Sequence, residues 1–583
     1  MSRSIVTFVC LVAVSAAWLW GRQPEPADLV LVNGTVLTVD PRDTVAEAVA
    51  IRGGKVAAVG STDDIRRLVG AATTVIDLDG RTATPGLIDT HLHVSPPSDQ
   101  LDLSDPDIRT IADLQERLRA AVAGHQPGEW VRGRGWDEGK LDERRFLRAS
   151  DLDVVSPDNP VWLTHTTGHY GVGNSLALKI AGVTRDTPDP PAGTIERDPD
   201  GTPTGLMKES ATGLVTRAAS GGEGRGGRRG RGGDARAGLA VTFANFNREG
   251  MTAVKDPGVN AGRFETYRQM LDDGTLTVRM FALWRGGRTV ASVDETIEQM
   301  AGYPRLPATL GDGMLSSGGV KLYMDGSGGA RTGWMHEDWN LESTGTEVGN
   351  TGYPTTEPDV YREQVRRLHE VGIHVGTHAV GDRAIDWVVD TYAGVLRAKP
   401  TRGLRHSIIH ANIPTDHAIE TMAELQKTYD AAYPEAQAPF MWWIGDTYAG
   451  NFGPARSARL MPFRSYVRKG VIWAGGSDYS VTPYPARYGL WSSVTRKTLR
   501  GTYGETAFGT DEAIDIRTAL RSYTIWAARQ LFLEDRIGSL EVGKDADIAV
   551  WTQNPYAVEP DVLKDLTCEL TIVGGQVVYR RAE

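Results

Sequence analysis

The sequence predicts an α/β fold: a (β/α)8 TIM-type barrel, a β-sandwich domain built from both chain ends, and a large insertion after the first barrel strand. Three observations favour this fold. Strands and helical stretches alternate through the middle of the chain, which is typical of a parallel sheet covered by helices. Short strands separated by glycine-containing turns occur at both chain ends. The 583 residues exceed the roughly 250 residues of a barrel, so further domains are expected.

Eight apolar segments in the middle of the chain are predicted to be the barrel strands. The first ends within residues 84–93, and the others are 251–256, 278–284, 319–325, 373–378, 407–410, 428–433 and 471–478. Eight parallel strands close a barrel of this type. Between two of them, apolar side chains recur at helical spacing over residues 361–371, and Gly372 is predicted to end that helix.

The two chain ends are predicted to join in one β-sandwich, because both contain short strands around turns. Leu29–Val32 and Thr35–Val39 flank Asn33-Gly34, which is a strong hairpin signal. Similar strands surround the paired glycines at 53–54 and 574–575. The predicted segments are a leader at 1–27, a sandwich from 28–81 and 536–583, a barrel at 82–535, and an insertion at about 94–237 within the barrel.

The first 27 residues resemble a secretory signal peptide or an uncleaved membrane anchor. Arg3 precedes an apolar run from Ile5 to Trp20, and Arg22 follows it. The run is slightly short for a membrane span of about 20 residues, so cleavage and anchoring both stay open. We therefore expect an exported protein that is periplasmic, secreted or membrane-anchored, with membrane contact only through this segment.

The composition restricts the partners that the protein can have. A formal net charge of −11 argues against nonspecific binding of nucleic acid. Cys10 and Cys568 are the only cysteines, which excludes a disulfide scaffold and a cysteine-rich metal site. Residues 221–233 are rich in glycine and arginine; such a tract can bind RNA, but it has no apolar residues and is predicted to be a disordered surface loop. The expected partner is a small-molecule substrate, with a homodimer as an open alternative.

Two histidines one residue apart, His91 and His93, follow the first apolar strand. Positions i and i+2 of a strand point to the same side, so both imidazoles can reach one metal ion. Imidazole nitrogen suits zinc, iron and nickel. The pair alone is weak evidence, because two nearby histidines are more often structural or solvated.

Four further residues that can bind or bridge metals stand at the ends of other predicted strands. They are Lys321, His378, His410 and Asp478. The carboxyl ends of the strands of a (β/α)8 barrel meet at one face, and catalytic residues lie there. We therefore expect these four residues to converge with the two histidines.

Taken together, the motifs resemble the amidohydrolase superfamily. The resemblance is greatest to the branch called amidohydrolase family 3, the N-substituted formamide deformylase and AepA-like metal-dependent hydrolases. The matching motifs are PGLIDTHLH at 85–93, GHYGVGNSLAL at 168–178, VKLYMDGSGGART at 320–332, THAVGDRAI at 377–385, IIHA at 408–411 and GGSDYSVTPYP at 475–485. Jointly these motifs are highly specific, although no single one is.

The resemblance implies one or two divalent metal ions, with zinc expected and manganese or iron as alternatives. It implies that His91, His93 and Asp478 hold the more buried ion. His378 and His410 would hold the second. Asp478 would also be the general base during attack and then the general acid to the leaving nitrogen.

Lys321 has two interpretations. A free ammonium has no lone pair and repels a metal ion, and the resemblance implies that the lysine is carboxylated and bridges two metals. Alternatively, Lys321 pairs with Asp325 as a structural ion pair.

Substrate contacts are predicted for His169, Asp325 and Arg331. His169 lies in the motif at 168–178, and it could equally bind only a backbone carbonyl. Arg331 could bind a carboxylate or carbonyl of the substrate, or form a salt bridge with Asp325.

The sequence thus indicates a metal-dependent hydrolase of carbon–nitrogen bonds other than peptide bonds, with amide or N-acyl (N-formyl-like) substrates. The same ligands would polarise any carbonyl, so hydrolysis of a lactone or ester is an alternative. A non-catalytic binding or regulatory protein with the same fold is a third hypothesis. Retention of every ligand type argues against it, because an inactive site has no chemical need for Asp478.

Overall fold

The computed structural model describes residues 25–220, 235–341, 348–501 and 507–582. The predicted leader up to residue 24 and the glycine- and arginine-rich segment at 221–233 lie outside the described residues. Within the described ranges, no helix combines the length and the apolar character needed to cross a membrane. Cys568 is a buried free thiol.

Eight parallel strands form a nearly closed barrel, which confirms the predicted barrel. In chain order they are Leu87–Asp89 (β1), Met251–Val259 (β2), Arg279–Arg285 (β3), Leu315–Tyr323 (β4), Val375–Ala379 (β5), Ser407–His410 (β6), Tyr433–Ala436 (β7) and Ala474–Gly475 (β8). Each strand pairs with its neighbour in sequence. At the seam between β1 and β8, the backbone N–H of Thr90 donates to the carbonyl of Gly475 at 3.0 Å.

Several strand boundaries differ from those predicted, among them those of the first, seventh and eighth strands. The seventh strand was predicted at 428–433, but a helix continues to Tyr429, and Asp430 then adopts the left-handed conformation at its C-terminus. Strand β7 therefore begins only at Tyr433. Strands β1 and β8 are also shorter than predicted, so His91 and His93 lie in the segment that follows β1 instead of on the strand.

Helices lie between the barrel strands in the chain and after the last of them. They are Ala235–Arg248, Ala261–Asp272, Val290–Met300, Pro358–Glu370, Asp382–Ala398, Asp416–Tyr429, Pro439–Trp443, Gly445–Ala458, Phe463–Lys469, Ala486–Thr495, Ile516–Ser522 and Ile525–Gln530. The helix predicted at 361–371 is present as Pro358–Glu370. Glu357 caps its first turn, proline occupies the first turn, and Gly372 follows with a positive φ of 75°.

Strands from both chain ends form two sheets that share one apolar core. The four-stranded sheet contains Leu29–Val32, Ala48–Arg52, Lys55–Gly60 and Thr74–Asp77. The six-stranded sheet contains Thr35–Leu37, Val45–Ala46, Thr82–Pro85, Ile548–Trp551, Cys568–Val573 and Gln576–Arg580. Because Thr82–Pro85 pairs with Ile548–Trp551, the N-terminal and C-terminal segments belong to a single sheet.

One predicted hairpin is wrong. Leu29–Val32 and Thr35–Leu37 do not pair; they lie in different sheets, and Asn33-Gly34 is the crossing between them. The backbone at Gly34 lies close to the backbone at Arg81. A Cβ on Gly34 would lie 2.5 Å from the Arg81 carbonyl oxygen. The glycine is therefore required by a close approach of backbones and not by a hairpin turn.

Between β1 and β2 the chain forms a separate six-stranded sheet with its own apolar core. The strands are Leu101–Asp102, Val131–Trp136, Val161–His165, Tyr170–Gly173, Gly193–Arg197 and Pro203–Glu209, and the helices are Ile111–Val122, Ala149–Asp153, Ser175–Ala181 and Thr212–Ala219. Residues at the ends of several of these strands border the barrel mouth. We refer to residues 101–220 as the inserted sheet domain.

Candidate metal centre

A cavity of about 380 Å³ lies at the carboxyl ends of the barrel strands. Its size suits a small molecule. Its lining includes all six of the predicted metal-centre residues, which are His91, His93, Lys321, His378, His410 and Asp478. His169 also lines it. The other lining residues are Gln100, Arg134, Thr164, His165, Thr166, Thr167, Gly168, Tyr323, Ser480 and Val481.

Asp478 faces both histidines that follow β1. Its Oδ1 atom lies 3.5 Å from Nε2 of His91 and 3.3 Å from Nε2 of His93. The segments after β1 and β8 are also joined by a backbone hydrogen bond from Asp478 to the His91 carbonyl at 2.6 Å. His91 is fully buried, whereas the side chain of His93 is 49% exposed. The pair of histidines therefore reaches from the barrel interior to solvent.

Two buried atoms of this group lack a hydrogen bond within the described part of the chain. They are Oδ1 of Asp478 and Nδ1 of His91. Leaving a buried carboxylate oxygen without a donor is costly. Ligand atoms of His91, His410 and Asp478 lie within 4.8 Å of one another, and a bound cation would satisfy the orphaned oxygen. The donor set therefore fits a divalent metal ion.

His410 is held so that one nitrogen is free to bind a metal. Its Nδ1 lies 2.7 Å from Oε1 of Gln437. The amide of Gln437 is oriented by its Nε2, which donates to the carbonyl of Glu435 at 2.9 Å. Nδ1 of His410 must therefore carry the proton, and Nε2 retains the lone pair. A second partner that fixes the tautomer in this way is usual for histidines that bind metals.

His378 is held in the opposite tautomer. Its Nε2 donates to the carbonyl of Gly326 at 2.9 Å, so the lone pair lies on Nδ1. The ring centres of His378 and His410 are 4.5 Å apart, and those of His91 and His410 are 5.2 Å apart. Three imidazole rings thus border one part of the cavity.

Burial keeps these imidazoles neutral. It holds the pKa of His91 and of His378 well below the usual value and lowers the pKa of His410 to about 3. A neutral imidazole is the form that can ligate a metal. Burial opposes the ionisation of Asp478, but the facing histidines His91 and His93 outweigh it and hold the pKa of the carboxyl well below its usual range. The site therefore presents neutral nitrogens and one carboxylate.

Lys321 lies inside the barrel near the end of β4 and is buried. Burial lowers the pKa of its amine to about 7. The alternative ion pair with Asp325 is wrong, because no salt bridge joins the two residues in the described structure. Asp325 instead accepts three backbone N–H groups, from Trp334 at 2.8 Å, Val380 at 3.0 Å and Gly381 at 2.8 Å.

Two of the predicted substrate contacts lie outside the cavity lining. Asp325 fixes the segment after β5, and its Oδ1 lies 3.7 Å from Nε2 of His378. Arg331 is buried, with its guanidinium 5.4 Å from the ring centre of Phe146. His169 does line the cavity.

A second buried group of possible metal ligands consists of Asp137, Glu138 and His165. The backbone N–H of Thr167 donates to Nδ1 of His165 at 3.1 Å, so a neutral His165 carries its proton on Nε2. That nitrogen faces Oε2 of Glu138 at 3.3 Å and has no free lone pair. Glu138 also accepts from the Tyr170 hydroxyl at 2.8 Å. His165 lines the cavity, and its Nε2 and Oδ2 of Asp137 have no hydrogen-bond partner within the described residues.

Sequence reasoning missed the residues that orient the histidines. Gln437 directly follows β7, so its strand-end position was an available signal, but the seventh strand was predicted too early in the chain. Glu209 ends a strand of the inserted sheet domain and hydrogen-bonds to His169. No local pattern distinguishes Glu209, because its partner lies 40 residues away.

Known proteins resemble this chain along nearly its whole length. A family model described as the amidohydrolase family matches residues 74–579. The chain is 29% identical over 567 residues to N-substituted formamide deformylase from Arthrobacter pascens, covering 95% of this chain and 98% of the relative. It is 26% identical over 564 residues to the putative amidohydrolase YtcJ of Bacillus subtilis (strain 168), covering 94% of this chain and 99% of the relative.

Among solved structures, an uncharacterized metal-dependent hydrolase from Pyrococcus horikoshii OT3 has a similar fold. The TM-score is 0.66 at 22% sequence identity, and the match covers 91% of this chain and 99% of that chain. At this level of identity the likeness extends to the fold, in agreement with the barrel described above.

Proposed function

The chain belongs to the amidohydrolase family of metal-dependent hydrolases, which act on carbon–nitrogen bonds other than peptide bonds, and we propose that its substrates are amides or N-acyl compounds. The observation that carries the proposal is the orphaned Oδ1 of Asp478, which faces His91 and His93 at the carboxyl end of the barrel. In a barrel of this kind, that end is where chemistry takes place.

The residues divide into two sets of metal ligands. His91, His93 and Asp478 would hold one ion, and His378 and His410 would hold a second. We expect zinc, because neutral imidazole and carboxylate are donors that suit it; manganese or iron would also accept them. When bound, a divalent ion lowers the pKa of a coordinated water to about 7 and polarises a carbonyl group.

Lys321 would join the two sets as a carbamate. The lysine lies among the candidate ligands on the cavity wall and has no carboxylate partner within salt-bridge distance in the described residues. Carboxylation would add the neutral ε-amine to carbon dioxide with release of one proton, which gives a carbamate anion with two oxygen donors. Starting from the ammonium form, two protons are released in all. A carbamate removes the repulsion that a free ammonium would exert on a metal.

Asp478 would act as the general base and then as the general acid. Its carboxylate is buried beside His91, within the space that a substrate carbonyl must enter. The carboxylate would accept a proton from the nucleophile and return it to the leaving nitrogen. Transfer of this kind by a positioned side chain contributes about 10²- to 10⁴-fold to the rate.

The substrate class draws support from the cavity and from the relatives. A volume of about 380 Å³ fits a small acyl compound. The full-length similarity to N-substituted formamide deformylase favours a short acyl group such as formyl on a substituted nitrogen.

Metal analysis combined with activity assays on a set of substrates tests the proposal. Protein purified without chelators is analysed for metal and assayed on N-formyl and N-acetyl amides, each matched with the ester or lactone of the same acyl group. We expect turnover of the amides, its loss after chelation, and its return with zinc. Turnover of esters or lactones alone would overturn the amide assignment, and absence of metal even after reconstitution would favour a binding protein.

We also propose that the protein is exported. The proposal rests on the apolar run from Ile5 to Trp20 between Arg3 and Arg22. Mass spectrometry of the N-terminus in cell fractions tests it. A protein that retains Met1 in the cytosolic fraction would contradict it.

A further inference from the structure

One carboxylate–imidazole pair on the cavity wall comes from the inserted sheet domain. His169 immediately precedes the strand Tyr170–Gly173, and Glu209 ends the strand Pro203–Glu209. These two strands are antiparallel neighbours, and the backbone N–H of Glu209 donates to the His169 carbonyl at 2.7 Å. The sheet therefore fixes both side chains at the barrel mouth.

Glu209 determines which nitrogen of His169 faces the cavity. Nδ1 of His169 lies 3.0 Å from both carboxylate oxygens of Glu209. Glu209 is buried, and its Oε1 also accepts from the hydroxyl of Thr332 at 2.5 Å. An ionised carboxylate only accepts hydrogen bonds, so Nδ1 carries a proton and neutral His169 has its lone pair on Nε2.

The same arrangement occurs at the candidate ligands. A hydrogen bond to Gln437 leaves one nitrogen of His410 free, and a hydrogen bond to Gly326 leaves one nitrogen of His378 free. Hydrogen bonds of this kind orient metal-binding histidines in proteins, and carboxylates are common partners. His169 shares this feature, whereas His165, in the same cavity, does not, because a backbone N–H occupies its Nδ1.

The ring of His169 is spaced from that of His378 as the rings of the candidate ligands are spaced from one another. The ring centres of His169 and His378 are 5.3 Å apart. The corresponding distances are 5.2 Å for His91 and His410 and 5.5 Å for His91 and His93. Two imidazoles bound in a tetrahedral site at about 2.0–2.1 Å have ring centres about 5 Å apart.

We propose that His169 is an additional ligand of the metal centre, that it binds through Nε2 beside His378, and that Glu209 is the residue that positions it. The inference rests on the metal centre of the proposed function. It means that the centre is completed by the inserted sheet domain and is not built from barrel strands alone.

The test uses zinc and cobalt(II) binding to the full chain and needs no substrate. Wild type, His169→Ala and Glu209→Gln are compared with His417→Ala, which removes an exposed histidine that is paired with Asp390 on the surface. Metal equivalents are measured by plasma mass spectrometry, affinity by competition with a chelator, and ligand number by the visible absorption of the cobalt(II) protein. Circular dichroism checks the folding of each variant.

We expect His169→Ala to weaken binding of at least one ion by more than about 100-fold and to change the cobalt(II) absorption. Glu209→Gln should weaken it by about 10- to 100-fold, as is found for partners of metal ligands. His417→Ala should match wild type. If His169→Ala does not fold, His169→Gln is measured in the same way and decides the question.

Unchanged affinity and an unchanged cobalt(II) spectrum in a folded His169 variant would overturn the inference, even if turnover fell, because His169 would then contact substrate only. If wild type binds no metal, the proposed function fails as well. If wild type binds metal and the His169 variants bind it equally well, only this inference fails.

Discussion

Gln437 fixes the tautomer of His410 across two neighbouring barrel strands. The Oε1 atom of Gln437, directly after β7, lies 2.7 Å from Nδ1 of His410 at the end of β6. Both side chains are buried. The free nitrogen of His410 is therefore directed by a residue that is not itself a candidate ligand.

Replacing Gln437 should weaken metal binding without removing a ligand. Gln437→Leu loses the acceptor, and we expect metal affinity to fall about 10- to 100-fold. Gln437→Glu keeps an acceptor oxygen and should bind metal more tightly than Gln437→Leu does. Chelator competition measures both. Equal affinity in wild type and the leucine variant would show that the hydrogen bond has no part in metal binding.

Asp478→Asn should retain the fold and lose turnover. The amide cannot accept the proton, so we expect kcat to fall by about 10²- to 10⁴-fold in protein loaded with excess metal. Metal content is measured on the same sample, which separates loss of the base from loss of the ion. Asp416→Asn, on the surface, is the control. Unchanged turnover of metal-loaded Asp478→Asn would rule out the proposed proton transfer.

Lys321→Met should lower the metal content from about two equivalents to about one, since the bridging group of a two-metal site is lost. Lys321→Glu supplies a carboxylate from the same position and should retain more of the second ion. Plasma mass spectrometry on protein prepared side by side gives the comparison. Two equivalents in the methionine variant would mean that Lys321 does not bridge.

Removing one partner of the ion pair between Lys255 and Glu435 is expected to lower the free energy of unfolding. The two side chains meet at 2.5 Å inside the barrel, and both are completely buried. Lys255→Met leaves a buried carboxylate alone and should cost about 3–5 kcal/mol of unfolding free energy, whereas replacing both by apolar residues should be far less destabilising.

An exposed pair provides the control for that experiment. Lys469 and Glu420 meet at 2.9 Å with side chains 52% and 62% exposed, so Lys469→Ala should cost less than about 1 kcal/mol. Urea unfolding of the four proteins measures the differences. A cost for Lys255→Met no larger than that for Lys469→Ala would contradict the prediction.

Lys140 should make stability depend on pH at alkaline values. Burial lowers the pKa of its amine from 10.5 to about 8. Between these values the unfolded chain binds the proton and the folded protein does not, so stability rises with pH over this window. Below pH 8 the folded protein carries the cost of a buried charge in full.

Lys140→Met removes this dependence. From pH 8 to 10.5 the free energy of unfolding of wild type should gain roughly 3 kcal/mol relative to the variant, at about 1.4 kcal/mol for each pH unit. Urea unfolding at several pH values measures the difference, and Lys497→Met, at a lysine whose side chain is 45% exposed, is the control. Parallel curves for wild type and Lys140→Met would show that the amine does not titrate in this range.

The sequence by itself predicted the barrel and the set of residues at its mouth. Their convergence required only that His91, Lys321, His410 and Asp478 each come at or just beyond the end of a strand, since parallel strands in a closed barrel bring these ends to one face. Such positions can be read from local hydrophobic runs. Small errors in strand boundaries did not matter, because strand order is kept.

Local patterns failed where the outcome depended on a distant contact. Asn33-Gly34 reads as a hairpin turn, yet the flanking strands pair with other segments, and Gly34 is needed because Arg81 passes close to it. The alternative pairing of Lys321 with Asp325 failed likewise. Backbone N–H groups of Trp334, Val380 and Gly381 satisfy that carboxylate.

What the sequence determined, then, is which chemical groups meet at the barrel mouth. Only the tertiary structure decided how they are oriented: Gln437 directs His410, and Glu209 directs His169 from the inserted sheet domain. The physical reason is that periodicity is a property of neighbouring residues, whereas the position of a proton on an imidazole is determined by whichever group packs against its other nitrogen.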